Sequence, residues 1–203
     1  MRLIFQIGFN KCATTSLDWI FLKSGYAPLS TSGQYWKRRG KLPELAVPAQ
    51  IHIKNNIDAG KPPLTALEKF DGFFDMEYVR PHIAVENYLE FKTFAQFYPD
   101  AYFLLNTRDV DDWITSRLNH GEGLYLAITM TRLNLDKENV ISMWRKNWDE
   151  HHESVRSFFA DGKHKFQEFH ITKTPLSDLV EFVRPDFELK TEFWQRKRLS
   201  KAR

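Results

Sequence analysis

Short apolar runs and amphipathic helical patterns alternate from one end of this sequence to the other, and that alternation restricts the fold more than any other property. Leu3 to Ile7 is an apolar run that stops at Gly8; Thr15 to Ser24 then carries Leu17, Ile20 and Phe21 at helical spacing before Gly25 ends it. Phe70 to Asp75 predicts a second strand. An amphipathic helix over about Ala84 to Phe97 follows, with Tyr88, Phe91, Phe94 and Ala95 on one face and Pro99-Asp100 as its stop. Tyr102 to Thr107 reads as a buried strand, and Asp109, Asp111 and Asp112 place negative charge at the start of the helix that carries Trp113, Ile114 and Leu118. A long helix from about Lys137 to Phe159 gathers Val140, Trp144, Trp148, Val155 and Phe159, and leaves His151-His152 toward solvent. Phe166 to Ile171 is the last strand, and Thr174-Pro175 caps a final helix. Ser30 to Pro63 is rich in Gly, Pro, Lys and polar residues and reads as an irregular excursion, with one broken helix around Glu44 to Asn56. The pattern predicts an α/β fold, a parallel sheet with right-handed crossovers and helices on both faces. Ligands of such sheets bind beyond the carboxyl ends of the strands, so Gly8 to Thr15, Asp75 to Glu77, Thr107 to Asp109 and Thr172 are candidates before any motif is considered.

The 203 residues are 42% hydrophobic and 15% aromatic, enough for one substantial core and too little for two ordinary domains with linkers. A single domain is expected over 1–203, with the irregular insertion at about 30–63 and a basic tail at about 194–203. The formal net charge is only +3, which suits an anionic ligand in a local pocket better than a polyanion gripped along a whole face; no nucleic-acid partner is expected. Cys12 is the only cysteine, which excludes an internal disulfide framework and multi-cysteine metal sites. No apolar run reaches membrane-spanning length and no signal-peptide core is present, so the expected location is the cytoplasm. The seven histidines show no spacing that assembles a metal site.

The turn after the first strand carries the chemistry. In Gly8-Phe9-Asn10-Lys11-Cys12-Ala13-Thr14-Thr15-Ser16, small and hydroxylated residues open a helix directly after a strand, and a lysine sits inside the turn. Exposed backbone N–H groups, the positive helix end, Lys11 and three hydroxyls together form an anion site. A nucleotide triphosphatase loop needs a second glycine and a lysine immediately before the hydroxyl, whereas Lys11 comes three residues before Thr14. The segment resembles instead the phosphosulfate-binding loop of sulfotransferases that use 3′-phosphoadenosine 5′-phosphosulfate (PAPS), whose pattern runs lysine, small residue, glycine, threonine, threonine. Lys11, Cys12, Thr14 and Thr15 match; Ala13 replaces the glycine, which calls for a negative φ or a slightly wider turn there. That family's second motif is an arginine after a strand with a serine eight positions on, which Arg108 and Ser116 match. At about 1.5 Å per residue the two lie roughly 10 Å apart, so a guanidinium and a hydroxyl can approach one phosphate from two sides.

The resemblance, to the bacterial and carbohydrate-type branch, implies a P-loop NTPase-like sulfotransferase fold and transfer of a sulfuryl group from PAPS to a hydroxyl or amine. It places Lys11 on the leaving phosphate, Cys12, Ala13, Thr14, Thr15 and Ser16 around the phosphosulfate, and Arg108 and Ser116 on the 3′-phosphate, with no metal required. It also gives Arg196, Lys197 and Arg198 of the basic tail a place over the adenosine 3′-phosphate. Sulfuryl transfer needs a base for the acceptor proton. Asp75, whose pKa the apolar Phe73-Phe74 flank would raise, is the first candidate, with Glu77, His52, His82 and His120 as others. Cys12 at a positive helix start is either a reactive thiol or simply the small residue the loop needs, and Tyr35, Trp36 and Phe73-Phe74 are candidates to line an acceptor pocket or stack on adenine. Two other readings compete: a magnesium-dependent nucleotide kinase with Asp75 on the metal, and a non-enzymatic nucleotide or nucleic-acid binding module. Sugars, phenols, lipids and peptide tyrosines all fit as acceptors.

Overall fold

The computed structural model describes residues 2–30 and 45–195. Five short strands lie parallel in one sheet: β1 (Ile4–Gln6), β2 (Pro28–Ser30), β3 (Gly72–Phe74), β6 (Tyr102–Thr107) and β7 (Lys165–His170), in the order β2-β3-β1-β6-β7. A separate antiparallel hairpin is made by β4 (Glu77–Arg80) and β5 (Ile83–Glu86). The helices are α1 (Thr14–Lys23), α2 (Ala49–Asp58), α3 (Phe91–Phe97), α4 (Val110–Leu118), α5 (Leu124–Leu133), α6 (Lys137–Phe159) and α7 (Leu176–Val183), with single 3₁₀ turns at Asn87–Glu90 and Thr191–Phe193.

Successive strand residues point to opposite faces, and the core divides accordingly. Ile4, Phe74, Tyr102, Leu104 and Phe169 face α1 and α7, where Leu17, Ile20, Phe21, Leu179 and Val183 meet them. Phe5, Phe73, Phe103 and Leu105 face the other layer, built by α2, α3, α4 and α6. Both sides of the sheet are buried, which is why the strands read as continuous apolar runs.

Several elements differ from the sequence expectation. The helix expected from Ala84 begins only at Phe91: Tyr78-Val79 and Ile83 to Val85 pair as hairpin strands around a Pro81-His82 turn, where β-branched residues on a pleated surface outweigh the helical spacing of Tyr88, Phe91 and Phe94. The helix near Glu44 to Asn56 runs over Ala49–Asp58 instead, and β2 and α5 were not anticipated. Pro28 removes a ladder donor from β2, and an edge strand is where the sheet tolerates that. Thr174 does not cap α7; its hydroxyl accepts from the His170 N–H.

His151 and His152 are buried, not solvent-facing, at 5% and 3% exposure. Their positions on α6 turn them onto the Trp144, Trp148 and Val155 face, and their ring nitrogens satisfy strand atoms: His151 Nε2 donates to the Ile7 carbonyl at 2.7 Å, and His152 Nε2 accepts from the Thr107 hydroxyl at 2.8 Å while Nδ1 donates to the Trp148 carbonyl. Burial pushes the His152 imidazole down to about 4 from its ordinary 6.5 and lowers His151 as well. The unfolded chain therefore takes up protons that the folded one refuses, so stability is complete above about pH 6.5 and is lost as pH falls toward 4. At about 1.4 kcal/mol per pKa unit, His152 alone accounts for roughly 3 kcal/mol over that window. Urea midpoints at pH 7 and pH 4.5 should show this loss for the wild type and a flatter dependence for His152→Gln.

Candidate active site

The connections from β1 and β6 leave in opposite directions, to β2 on one side and β7 on the other, so a crevice opens between the ends of these two neighbours. The residues lining it are those after β1 and after β6.

The loop after β1 is held by side chains from the adjoining strand and helix. Gly8 is required where it stands, because a Cβ there would come within 2.1 Å of the Asn106 carbonyl oxygen. Asn106, fully buried, accepts from the Gly8 N–H and donates to the Phe9 and Cys12 carbonyls at 3.3 and 2.7 Å. Trp113 Nε1 donates to the Asn10 carbonyl and Arg108 Nη1 to the Lys11 carbonyl. With its carbonyls engaged this way, the loop runs through left-handed conformations at Lys11 (φ 66) and Ala13 (φ 61). Ala13 adopts the left-handed conformation that glycine favours, not the negative φ that was one of two expectations for it. The helix α1 starts with no side-chain cap, and the N–H groups of Cys12, Ala13, Thr14 and Thr15 donate to no group among the described residues. Successive N–H groups left over at a helix start make an anion-binding concavity.

A left-handed alanine costs about 1–2 kcal/mol, and a glycine recovers it at an unfolded-state cost of about 0.4–1 kcal/mol. Ala13→Gly is accordingly expected to raise stability by about 0.5–1 kcal/mol in urea unfolding; a loss would contradict the strained geometry.

Across the crevice, Arg108 follows β6 directly. Its Nη2 lies 3.5 Å from Asp112 Oδ2, an i,i+4 pair, yet its buried Nε has no hydrogen-bond partner among the described residues. Ser116 is buried in α4. Lys11 Nζ lies 3.3 Å from His120 Nδ1, so His120, half-buried just after α4, meets the loop lysine. The Ser16 hydroxyl donates to the Gln195 carbonyl at 2.7 Å, which brings the chain just ahead of the basic tail against the start of α1. Arg196, Lys197 and Arg198 lie outside the described residues, as do Tyr35 and Trp36.

The remaining candidates are placed less favourably. Phe73 and Phe74 are fully buried on opposite faces of the sheet, so they form core and no pocket wall. Thr172 bonds back to His170. His52 is engaged with the Thr65 carbonyl at 2.8 Å, and His82 sits exposed at the hairpin turn. Asp75 ends β3 half-buried with φ 53, its N–H donating to Gln6 Oε1. Cys12 is fully buried, and burial pushes its thiol up to about 12 against the pull of Arg108, Arg117 and Lys11, which favours the packing role over a reactive thiolate.

One cluster had no sequence signal. Glu77 and Arg117, both buried, pair at 2.9 Å beneath the loop. Asn10 donates to Glu77 Oε1 and accepts from Arg117 Nε, and the Tyr125 hydroxyl joins both partners. The Arg117 guanidinium lies 4.6 to 5.7 Å from the ring centres of Trp113, Tyr125, Trp144 and Phe9. Burial pushes the Glu77 carboxyl up, while Arg117 and the Tyr125 hydroxyl pull it back down and favour the charged pair. Both Glu77 oxygens are engaged by Asn10, Arg117 and Tyr125, so Glu77 anchors Asn10 beneath the loop.

At the divergence point of the parallel sheet, a strand leads into an uncapped helix start beside an arginine, which is the geometry of an anion site in an α/β protein. The family model for the sulfotransferase domain matches residues 3–174, and the chain belongs to that family. Among curated proteins no relative matches it. Among the described residues no helix is long and apolar enough to cross a membrane.

Proposed function

We propose that this sulfotransferase takes its sulfuryl group from PAPS and delivers it to a hydroxyl or amine of a small-molecule or carbohydrate acceptor. The observation that carries the reading is the uncapped loop beside Arg108, whose buried Nε has no partner among the described residues. A desolvated guanidinium N–H with no acceptor is costly, and a phosphate oxygen relieves that cost.

The loop N–H groups and the Thr14 and Thr15 hydroxyls hold the phosphosulfate, and Arg108 with Ser116 holds the 3′-phosphate. Ser16 is committed to Gln195, a contact that supports a place for Arg196 and Lys197 near the donor. In the transfer, an O–S bond to an acceptor hydroxyl, or an N–S bond to an acceptor amine, forms as the S–O bond to the donor phosphate breaks, the electron pair of that bond staying on the phosphate oxygen. Lys11 stabilises the charge that develops there. The acceptor proton passes to His120: its Nδ1 accepts from the Lys11 ammonium until donor oxygens draw Lys11 away, which frees the nitrogen lone pair. Asp75 is the second candidate for the base, and comparing His120→Gln with Asp75→Asn decides between them. The sulfuryl group carries less charge than a phosphoryl group, so the lysine and the loop amides suffice in this reading.

The test is a calorimetric titration with 3′-phosphoadenosine 5′-phosphate (PAP) without metal, beside one with ATP and magnesium. Metal-free PAP binding is expected. Binding of ATP with magnesium and none of PAP would contradict the donor assignment and favour a kinase.

A further inference from the structure

Arg132 on α5 repeats the feature seen at Arg108: its buried Nε has no hydrogen-bond partner among the described residues. It lines a cavity of about 230 Å³ between α5, α6 and the β4–β5 hairpin. Tyr125, Thr129 and Arg132 stand at i, i+4 and i+7 on α5, so this wall runs roughly 10 Å along one helix face. Its Tyr125 end is the end near the loop. The Tyr125 ring packs 5.5 Å from the His120 ring, and His120 reaches Lys11. Trp144 and Met143 supply apolar surface. Arg117 also borders the cavity, but its charge is matched by Glu77, and the wall's one carboxylate, Glu86, accepts from the Tyr88 hydroxyl at 2.6 Å.

Size and charge together restrict the occupant. An apolar cavity of about 150 Å³ takes up benzene, so this volume accommodates a single ring with a short substituent. An unpaired, desolvated guanidinium N–H calls for an anionic acceptor on that ligand. We propose that the cavity is the acceptor pocket and that the acceptor is a single-ring hydroxy compound bearing a carboxylate, the carboxylate at Arg132 and the hydroxyl toward Tyr125, His120 and Lys11. The transfer step rests on the PAPS reading above; binding of the acid does not. The phenolic oxygen forms the new O–S bond, its proton passes to the base, and PAP leaves.

The probe is 3-(4-hydroxyphenyl)propanoate, compared with its methyl ester on the full chain. Without donor, the acid should bind about 10–100-fold tighter than the ester, as a charge-assisted hydrogen bond allows. Arg132→Gln should lose that preference and Arg132→Glu should reverse it, with KM ratios following in the presence of PAPS. Equal binding of acid and ester by the wild type, or a preference that survives in Arg132→Gln, overturns the pocket. PAP titration of the same samples reports on the donor site separately: PAP binding with the acid ignored sinks the pocket alone, whereas acid binding with PAP ignored overturns the donor reading and the acceptor role with it.

Discussion

Arg117→Ala is expected to cost about 3–5 kcal/mol of stability, the largest loss of any single substitution considered for this chain. The guanidinium is buried against Phe9, Trp113, Tyr125 and Trp144, and its removal leaves the Glu77 carboxylate in a desolvated site without its counter-charge. The cost lies mostly in that orphaned charge, so the double variant Glu77→Gln/Arg117→Met should recover most of it. Urea unfolding at pH 7 measures both; a loss under about 1 kcal/mol for Arg117→Ala would show that the pair does not hold the structure. The same substitution removes a partner from Asn10 Oδ1, and Asn10 is the residue before the loop lysine. Donor binding should therefore weaken even where the variant remains folded.

Lys11→Ala should leave stability nearly unchanged and lower kcat for sulfuryl transfer by about 10²–10³, the usual consequence of deleting a group aimed at developing charge. The backbone there already adopts φ 66, and the loop is held by Asn106, Trp113 and Arg108 through its carbonyls, none of which needs the ammonium. PAP release with a phenolic acceptor reports the rate. A fall in donor affinity with kcat intact would move Lys11 from the transition state to ground-state binding.

Elements whose pattern is set by burial were legible in the sequence. β6 and α6 appear with the expected boundaries, because a strand covered on both faces and a long helix with repeated tryptophans leave one period each. The loop after β1 was legible for a different reason: a lysine inside a strand-to-helix turn has few structural uses. The hairpin was missed because Ile83 to Glu86 runs directly into Tyr88, Phe91 and Phe94, whose helical spacing extends backward over it. The Glu77–Arg117–Asn10–Tyr125 cluster was invisible because its members are brought together by tertiary packing, at separations of 40 and 67 residues for Glu77 with Arg117 and Asn10. The burial of His151-His152 was missed because polar neighbours on α6 masked their place on the tryptophan face. The signal that could have shown it was the four-residue step from Trp148 to His152 and the three-residue step to Val155.

Recognition of the donor 3′-phosphate by Arg108 is tested by the affinity of PAP relative to AMP, which lacks that group, for the wild type and Arg108→Ala. The wild type should bind PAP about 10–100-fold more tightly than AMP, and the ratio should collapse toward one in the variant. A wild type that binds the two equally, or a ratio that survives the loss of Arg108, would contradict the assignment.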